Sequence, residues 1–229
     1  MVKNHLKRIA TSKNWKIQKK EEKYVAKPKP GSHSMEYGIP LVLALRDLLK
    51  IGKTRKEIRD ILHHQEVLVD GKQTKDHKRM VGLMDTISFP KIKKNYRIIL
   101  DDRGKLNLIE IDEKEAKIKL NKVKGKVMVG KKIQLNLFDG RNILVEKTDV
   151  KVKATVAIEV PTQKILEQFN FEKGANILLT GGKHIGTVGI VESVEGNKLV
   201  FKNEKNEVFE TIKTHAYVVG KGKTYVKIK

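Results

Sequence analysis

The sequence predicts an α+β protein of several small domains, preceded by an extended basic arm. Three observations carry that expectation. Helical periodicity is confined to one stretch, Pro40 to His64. Short strands broken by turn residues recur from Tyr96 to Val219. Lys and Arg number 49 against 27 Asp and Glu over 229 residues, a formal net charge of +22. The expected divisions are a basic arm over 1–36, a helix-and-strand module over 37–90, a β-rich domain over 91–170 and a small barrel over 171–229.

A charge of this size points to a polyanionic partner, because Lys and Arg that neutralise phosphates release condensed counterions. It is spread out: residues 1–30 carry 10 Lys/Arg against 2 Asp/Glu, and residues 91–173 carry 20 against 12, so each is +8. Aromatic residues make up only 5%, which argues against a protein that works mainly by stacking bases. There is no cysteine, which excludes disulfides, zinc-finger ligation and a thiol nucleophile. No apolar run approaches the ~18 residues of a membrane span, and no signal-peptide core is seen. A cytosolic protein is expected.

The arm has little hydrophobic periodicity, and Pro28 and Pro30 exclude a long helix there. It is expected to order only on a partner. Lys7, Arg8, Lys13 and Lys16 would then meet phosphates, with Trp15 stacked on a base or tucked into a protein groove. Pro40 suits the start of a helix. Leu41, Leu45, Leu48 and Leu49 recur on one face of it, and Gly52 would end it. Thr54 and Glu57 form a capping box for a second helix, with Ile58, Ile61 and Leu62 on its inner side. Lys53, Arg55, Lys56 and Arg59 crowd its start, where free amides and the helix dipole already favour an anion.

Val67-Leu68-Val69 reads as a strand and Asp70-Gly71 as a tight hairpin turn. Lys72, Lys75, Lys78 and Arg79 continue the basic character into a loop, and Ile87-Ser88-Phe89 closes the module. Strands are expected at Tyr96 to Leu100, Leu106 to Ile111, Ile133 to Leu137 and Ala154 to Val160. Lys114 to Lys124 reads equally as a short helix or a charged strand. In the last domain, Gly181-Gly182 makes a turn that needs positive φ and puts Lys183 and His184 on an exposed tip. Gly186 and Gly189 allow close backbone approach, and three further short strands complete a barrel.

No nucleotide-binding glycine loop and no set of nucleophile, base and orienting residue occurs. His63 and His64 are adjacent and point to different helix faces, so they do not form an i, i+4 metal pair. The chain does not read as an enzyme.

Two of these segments resemble known modules. Met35 to Phe89, with its basic second helix and VLVDGK hairpin, resembles the S-four RNA-binding domain. GANILLTGGKHIGTVGIVESVEG, Gly174 to Gly196, resembles the KOW motif of an SH3-like barrel. Together with HLKR at His5 to Arg8, Gly31-Ser32-His33, Gly82 to Ser88 and Val219 to Gly222, they give a whole-chain resemblance. That resemblance is to the archaeal and eukaryotic small-subunit ribosomal protein S-four-e family. It implies a structural constituent of the small ribosomal subunit that binds rRNA through phosphates and supports assembly.

The candidate rRNA-binding residues are Lys7, Arg8, Lys13, Trp15, Lys16, His33, Lys53, Thr54, Arg55, Lys56, Arg59, Lys72, Lys78, Arg79, Lys183 and His184. The implied partners are small-subunit rRNA and neighbouring small-subunit ribosomal proteins. No membrane, DNA, homo-oligomer, cofactor or metal is expected. The alternatives are an RNA-modifying enzyme or a KOW transcription factor with an appended RNA-binding domain.

Overall fold

The structure is a computed structural model that describes residues 4–64, 66–146, 148–203 and 205–228. The chain forms two compact units: Met1–Ile99 with Lys105–Lys117, and Leu100–Gly104 with Ile118–Lys229.

In the first unit, β1 (Leu6–Lys7) pairs antiparallel with β2 (Tyr24–Val25), placing Lys7 opposite Tyr24. The arm is folded against its own unit in this structure. Its anchor is Trp15, 1% exposed, whose Nε1–H donates to the carbonyls of Met35 at 3.1 Å and Gly38 at 2.7 Å. The backbone N–H of Leu106 also donates to the Asn14 carbonyl at 2.8 Å. One indole supplies enough apolar area to hold a segment that otherwise lacks a core.

β3 (Gly38–Pro40) runs into α1 (Leu41–Leu43), which widens into a π-helical stretch, Ala44–Leu48. Pro40 caps this helix instead of opening its first turn. The helix ends before Gly52, and Lys50 takes the left-handed conformation with φ 56°. α2 (Arg55–His64) buries Ile58 and Leu62 completely. β4 (Leu68–Val69) and β5 (Lys72–Gln73) flank Asp70 and Gly71, at φ 50° and 70°, the double left-handed turn of a two-residue hairpin. β6 (Met80–Gly82) pairs with β3. β7 (Thr86–Phe89), β8 (Lys94–Leu100) and β9 (Leu106–Ile111) complete a sheet of order β5-β4-β7-β8-β9. α3 (Glu113–Ala116) is a single turn, and a strand follows it, so the ambiguous basic stretch is both helix and strand.

A buried pair locks β6 to the segment before β3. The His33 ring nitrogen Nε2 lies 2.9 Å from both Asp85 oxygens, and the Gly82 N–H donates to the same carboxylate at 2.9 Å. A Cβ on Gly82 would run into the His33 ring and the Tyr37 carbonyl, so only glycine fits.

In the second unit, β10 (Ile118–Val129), β11 (Lys132–Leu137), β12 (Asn142–Val145), β13 (Thr155–Glu159) and β14 (Ile165–Phe169) form an antiparallel sheet of order β12-β11-β10-β13-β14. β10 pairs first with β13 and then, past an irregularity between Val123 and Gly125, with β11. Val123, Leu135, Val150, Val156 and Ile158 form its core. β15 (Ala175–Leu179), β16 (Val188–Glu195), β17 (Lys198–Asn203), β18 (Val208–Ile212) and β19 (Ala216–Lys221) form a second five-stranded sheet of order β18-β17-β16-β15-β19.

Buried cations tie this unit together. The Lys119 ammonium sits 2.8 Å from an Asp139 oxygen, both side chains 1% exposed. The Lys122 ammonium donates to the carbonyls of Lys213 at 3.0 Å, Thr214 at 2.9 Å and Ala216 at 2.6 Å. Burial, with Lys153 adding to it, pushes the Lys122 pKa down to about 8. Nearby, the Tyr217 hydroxyl donates to the Leu120 carbonyl at 2.8 Å.

Candidate nucleic-acid interface

The start of α2 is built by its cap. The Glu57 N–H is 3.2 Å from the Thr54 hydroxyl oxygen. The Glu57 carboxylate accepts from the Lys53 N–H at 2.8 Å and the Thr54 hydroxyl at 2.9 Å. Those bonds hold the Glu57 carboxyl below the usual carboxylate range. The reciprocal bonds fix the backbone turn that presents Lys53, Arg55, Lys56 and Arg59, all exposed. Replacing Thr54 with alanine should lower the thermal stability of the first unit by about 1 kcal/mol, the usual cost of losing an N-cap. A calorimetric midpoint identical to the parent would count against the cap.

The loop between β5 and β6 lies against this helix face. Arg55 donates from Nε to Nε2 of His77 at 3.0 Å. Burial first, and the Arg55 charge second, push the His77 pKa down, which keeps the ring neutral and able to accept. Lys29 pairs with Asp76 at 2.6 Å. Burial works against the Asp76 charge, yet the hydrogen bonds from Lys29 and the Lys78 N–H hold its pKa below the ordinary value. Lys78 and Arg79 are half-exposed, and Arg79 reaches the Thr74 hydroxyl at 2.7 Å. Lys72 is exposed on β5. The structure thus brings Arg55 and Arg59 together with His77, which the sequence reading passed over; its position two residues before Arg79 gave no periodic signal.

Lys7, Lys13 and Lys16 are exposed on the arm. Arg8, Trp15 and His33 are not, with 3%, 1% and 7% of their surface accessible. All three are turned into their own unit in this structure. Arg8 donates to the Gln18 carbonyl at 2.9 Å and to Glu21 at 3.1 Å, Trp15 fills a groove of its own unit, and His33 faces Asp85.

In the second unit, Lys183 is exposed and His184 half-buried, its ring 4.1 Å from that of Phe209. Gly182 and Gly186 take φ 84° and 87°, whereas Gly181 does not need positive φ. A Cβ on Gly186 would collide with the Asp101 carbonyl, the close backbone approach that its spacing suggested. Among the described residues no group of His, Asp and Glu is placed to hold a metal ion, and no helix is long and apolar enough to cross a membrane.

A family model described as Ribosomal family S4e matches residues 92–165, and one described as the RS4NT domain matches residues 2–36. Small ribosomal subunit protein eS4 of Methanocella arvoryzae is 42% identical over 227 residues, covering 96% of each chain. The chain belongs to the ribosomal S4e family. Its counterpart in Methanosphaera stadtmanae is also 42% identical, over 98% of this chain and 95% of that one. The crystal structure of the 30S ribosomal protein S4e from Thermoplasma acidophilum superposes with a TM-score of 0.70 at 32% identity. It covers 82% of this chain and 97% of that one. The S4e architecture is mostly β, with few helices and more than one domain, as here.

Proposed function

We propose that this chain holds small-subunit rRNA through the basic face of α2 and, separately, through the loop at Lys183 and His184. As a member of the S4e family it is a structural protein of the small ribosomal subunit, resident on the cytoplasmic ribosome, and not an enzyme. That membership removes the RNA-modifying enzyme and the transcription factor as readings of the whole chain. The finer reading treats residues 37–90 as an S-four-type module, 91–170 as a β-rich centre and 171–229 as a KOW barrel. Lys7, Lys13, Lys16, Lys72, Lys78 and Arg79 extend the phosphate-facing surface, with neighbouring ribosomal proteins as further partners.

One observation carries the proposal. Four cations stand exposed on one capped helix start, and the one acidic residue in its first turn, Glu57, is turned back onto Lys53 and Thr54. The four cations and the helix dipole therefore act on a phosphate with the same sign, against the single charge of Glu57. The fourfold variant Lys53/Arg55/Lys56/Arg59→Ala tests it. Its affinity for a small-subunit rRNA transcript should fall, and the slope of log K against log salt should shrink by roughly 0.7–0.9 per lost phosphate contact. An unchanged affinity and slope would remove α2 from the interface.

A further inference from the structure

Of the two places expected for Trp15, a base or a protein groove, the structure shows the groove; the exposed rings of the arm are elsewhere. Tyr24 on β2 is 44% exposed, and the His5 ring stands edge-on to it at 5.0 Å between centroids, with 74° between planes. Lys7 is directly opposite Tyr24 in the β1–β2 register, so both side chains leave the same face of the ribbon. The Lys23 ammonium hovers over the Tyr24 ring at 5.6 Å. The acids of the same turn, Glu21 and Glu22, are drawn to the buried Arg8 at 3.1 and 3.7 Å. Arg8 also receives the turn backbone, since its N–H donates to the Lys23 carbonyl at 3.0 Å and its guanidinium to the Gln18 carbonyl at 2.9 Å. Arg8 thereby ties the two-strand ribbon to the turn that joins it.

From this juxtaposition we propose that Tyr24, flanked by His5, Lys7 and Lys23, is a stacking site for an unpaired nucleotide of RNA. A ring plus cations, with the local acids already committed, is the combination that binds single-stranded nucleic acid without regard to sequence. Lys7 and Lys23 would take the phosphates on either side of the stacked base, Lys23 moving off the ring as the base comes in. The proposal deepens the rRNA reading above by naming a single-stranded element as the ligand of the arm, distinct from the phosphate surface of α2.

The test uses the full chain with two probes, a single-stranded RNA of about twelve nucleotides, a length within the range of single-strand binding sites, and a duplex of similar length. Tyr24→Leu should weaken single-strand binding roughly tenfold with its salt slope unchanged, and leave duplex binding as it was. Tyr24→Phe should bind like the parent. A loss equal on both probes, or no loss on either, overturns the site. Photo-crosslinking of a 4-thiouridine single strand to the unaltered chain reads the same site without any substitution. Crosslinks should fall on the tryptic peptide containing Tyr24, and crosslinks found only elsewhere overturn it. The fourfold α2 variant separates the two readings: it should lose duplex binding and keep the Tyr24 crosslink.

Discussion

Replacing Asp139 with asparagine should destabilise the second unit by about 3–5 kcal/mol, the range measured when one partner of a buried ion pair is removed. Lys119 and Asp139 are both 1% exposed and 2.8 Å apart. Arg141 closes on the same carboxylate, its Nε at 3.1 Å from one oxygen and its backbone N–H at 3.1 Å from the other. Asparagine keeps the shape and removes the charge, so the Lys119 ammonium stays out of water facing a neutral amide. Chemical denaturation followed by far-UV circular dichroism should show a lower midpoint with an unchanged slope. The double variant Asp139→Asn/Lys119→Met should recover part of the loss, because it also removes the desolvated Lys119 charge that the single variant leaves facing a neutral amide. A single variant as stable as the parent would show that the pair contributes nothing.

The same site sets an acid limit. Burial pushes the Asp139 carboxyl up, but the Lys119 charge and hydrogen bond and the bonds from Asn121 and Arg141 outweigh it, leaving the pKa below the ordinary value. A carboxyl depressed in the folded state contributes its stability above the unfolded pKa, about 4. That contribution drains away as pH falls through the lower, folded value. The acid sensitivity of Asp139→Asn should therefore be shallower than that of the parent below pH ~4.

Trp15→Ala should cost the first unit about 3–5 kcal/mol, the usual loss for emptying a buried tryptophan site. The indole is 1% exposed, and its N–H serves two carbonyls, so alanine leaves both a cavity and unanswered acceptors. The arm should become open to trypsin at Lys13, Lys16, Lys19 and Lys20, because its other ties are a two-residue strand pair and a few hydrogen bonds. Trp15→Phe, which keeps most of the volume, should lose less and resist the protease longer. If Trp15→Ala lowers RNA affinity while leaving the denaturation midpoint and the cleavage pattern unchanged, the indole faces RNA after all.

How far these features could be read in advance follows the distance over which each is decided. The cap at Thr54 and Glu57 spans three residues and the turn at Asp70 and Gly71 two; both stood as the sequence indicated. The end of α1 did not, because Lys50 accepts a left-handed backbone that glycine would have taken more cheaply, and nothing local announces this. Trp15 finds its acceptors 20 and 23 residues away, and His33 meets Asp85 across 52. In a stretch as basic as residues 1–36, charge marks the surface well and hides which side chains turn inward. Lys119 and Lys122 lie in the stretch that reads equally as a short helix or a charged strand, and the carboxylate and carbonyls that bury them come from later parts of the chain. The family resemblance was carried by glycine spacing and by short strings such as His5 to Arg8 and Gly82 to Ser88.

The three bonds of Lys122 also bear on the order of events in folding. They join residues 91, 92 and 94 positions apart, and the Tyr217 bond to Leu120 spans 97. Closing a loop of that length carries an entropy cost of roughly 4 kcal/mol before any contact rewards it. Contacts this remote along the chain slow the search for the native state. The Lys122 ammonium finds these carbonyls only once residues 213–216 have been brought back beside β10. In a chain made from its N-terminus, these bonds form only after residues 213–217 have been added.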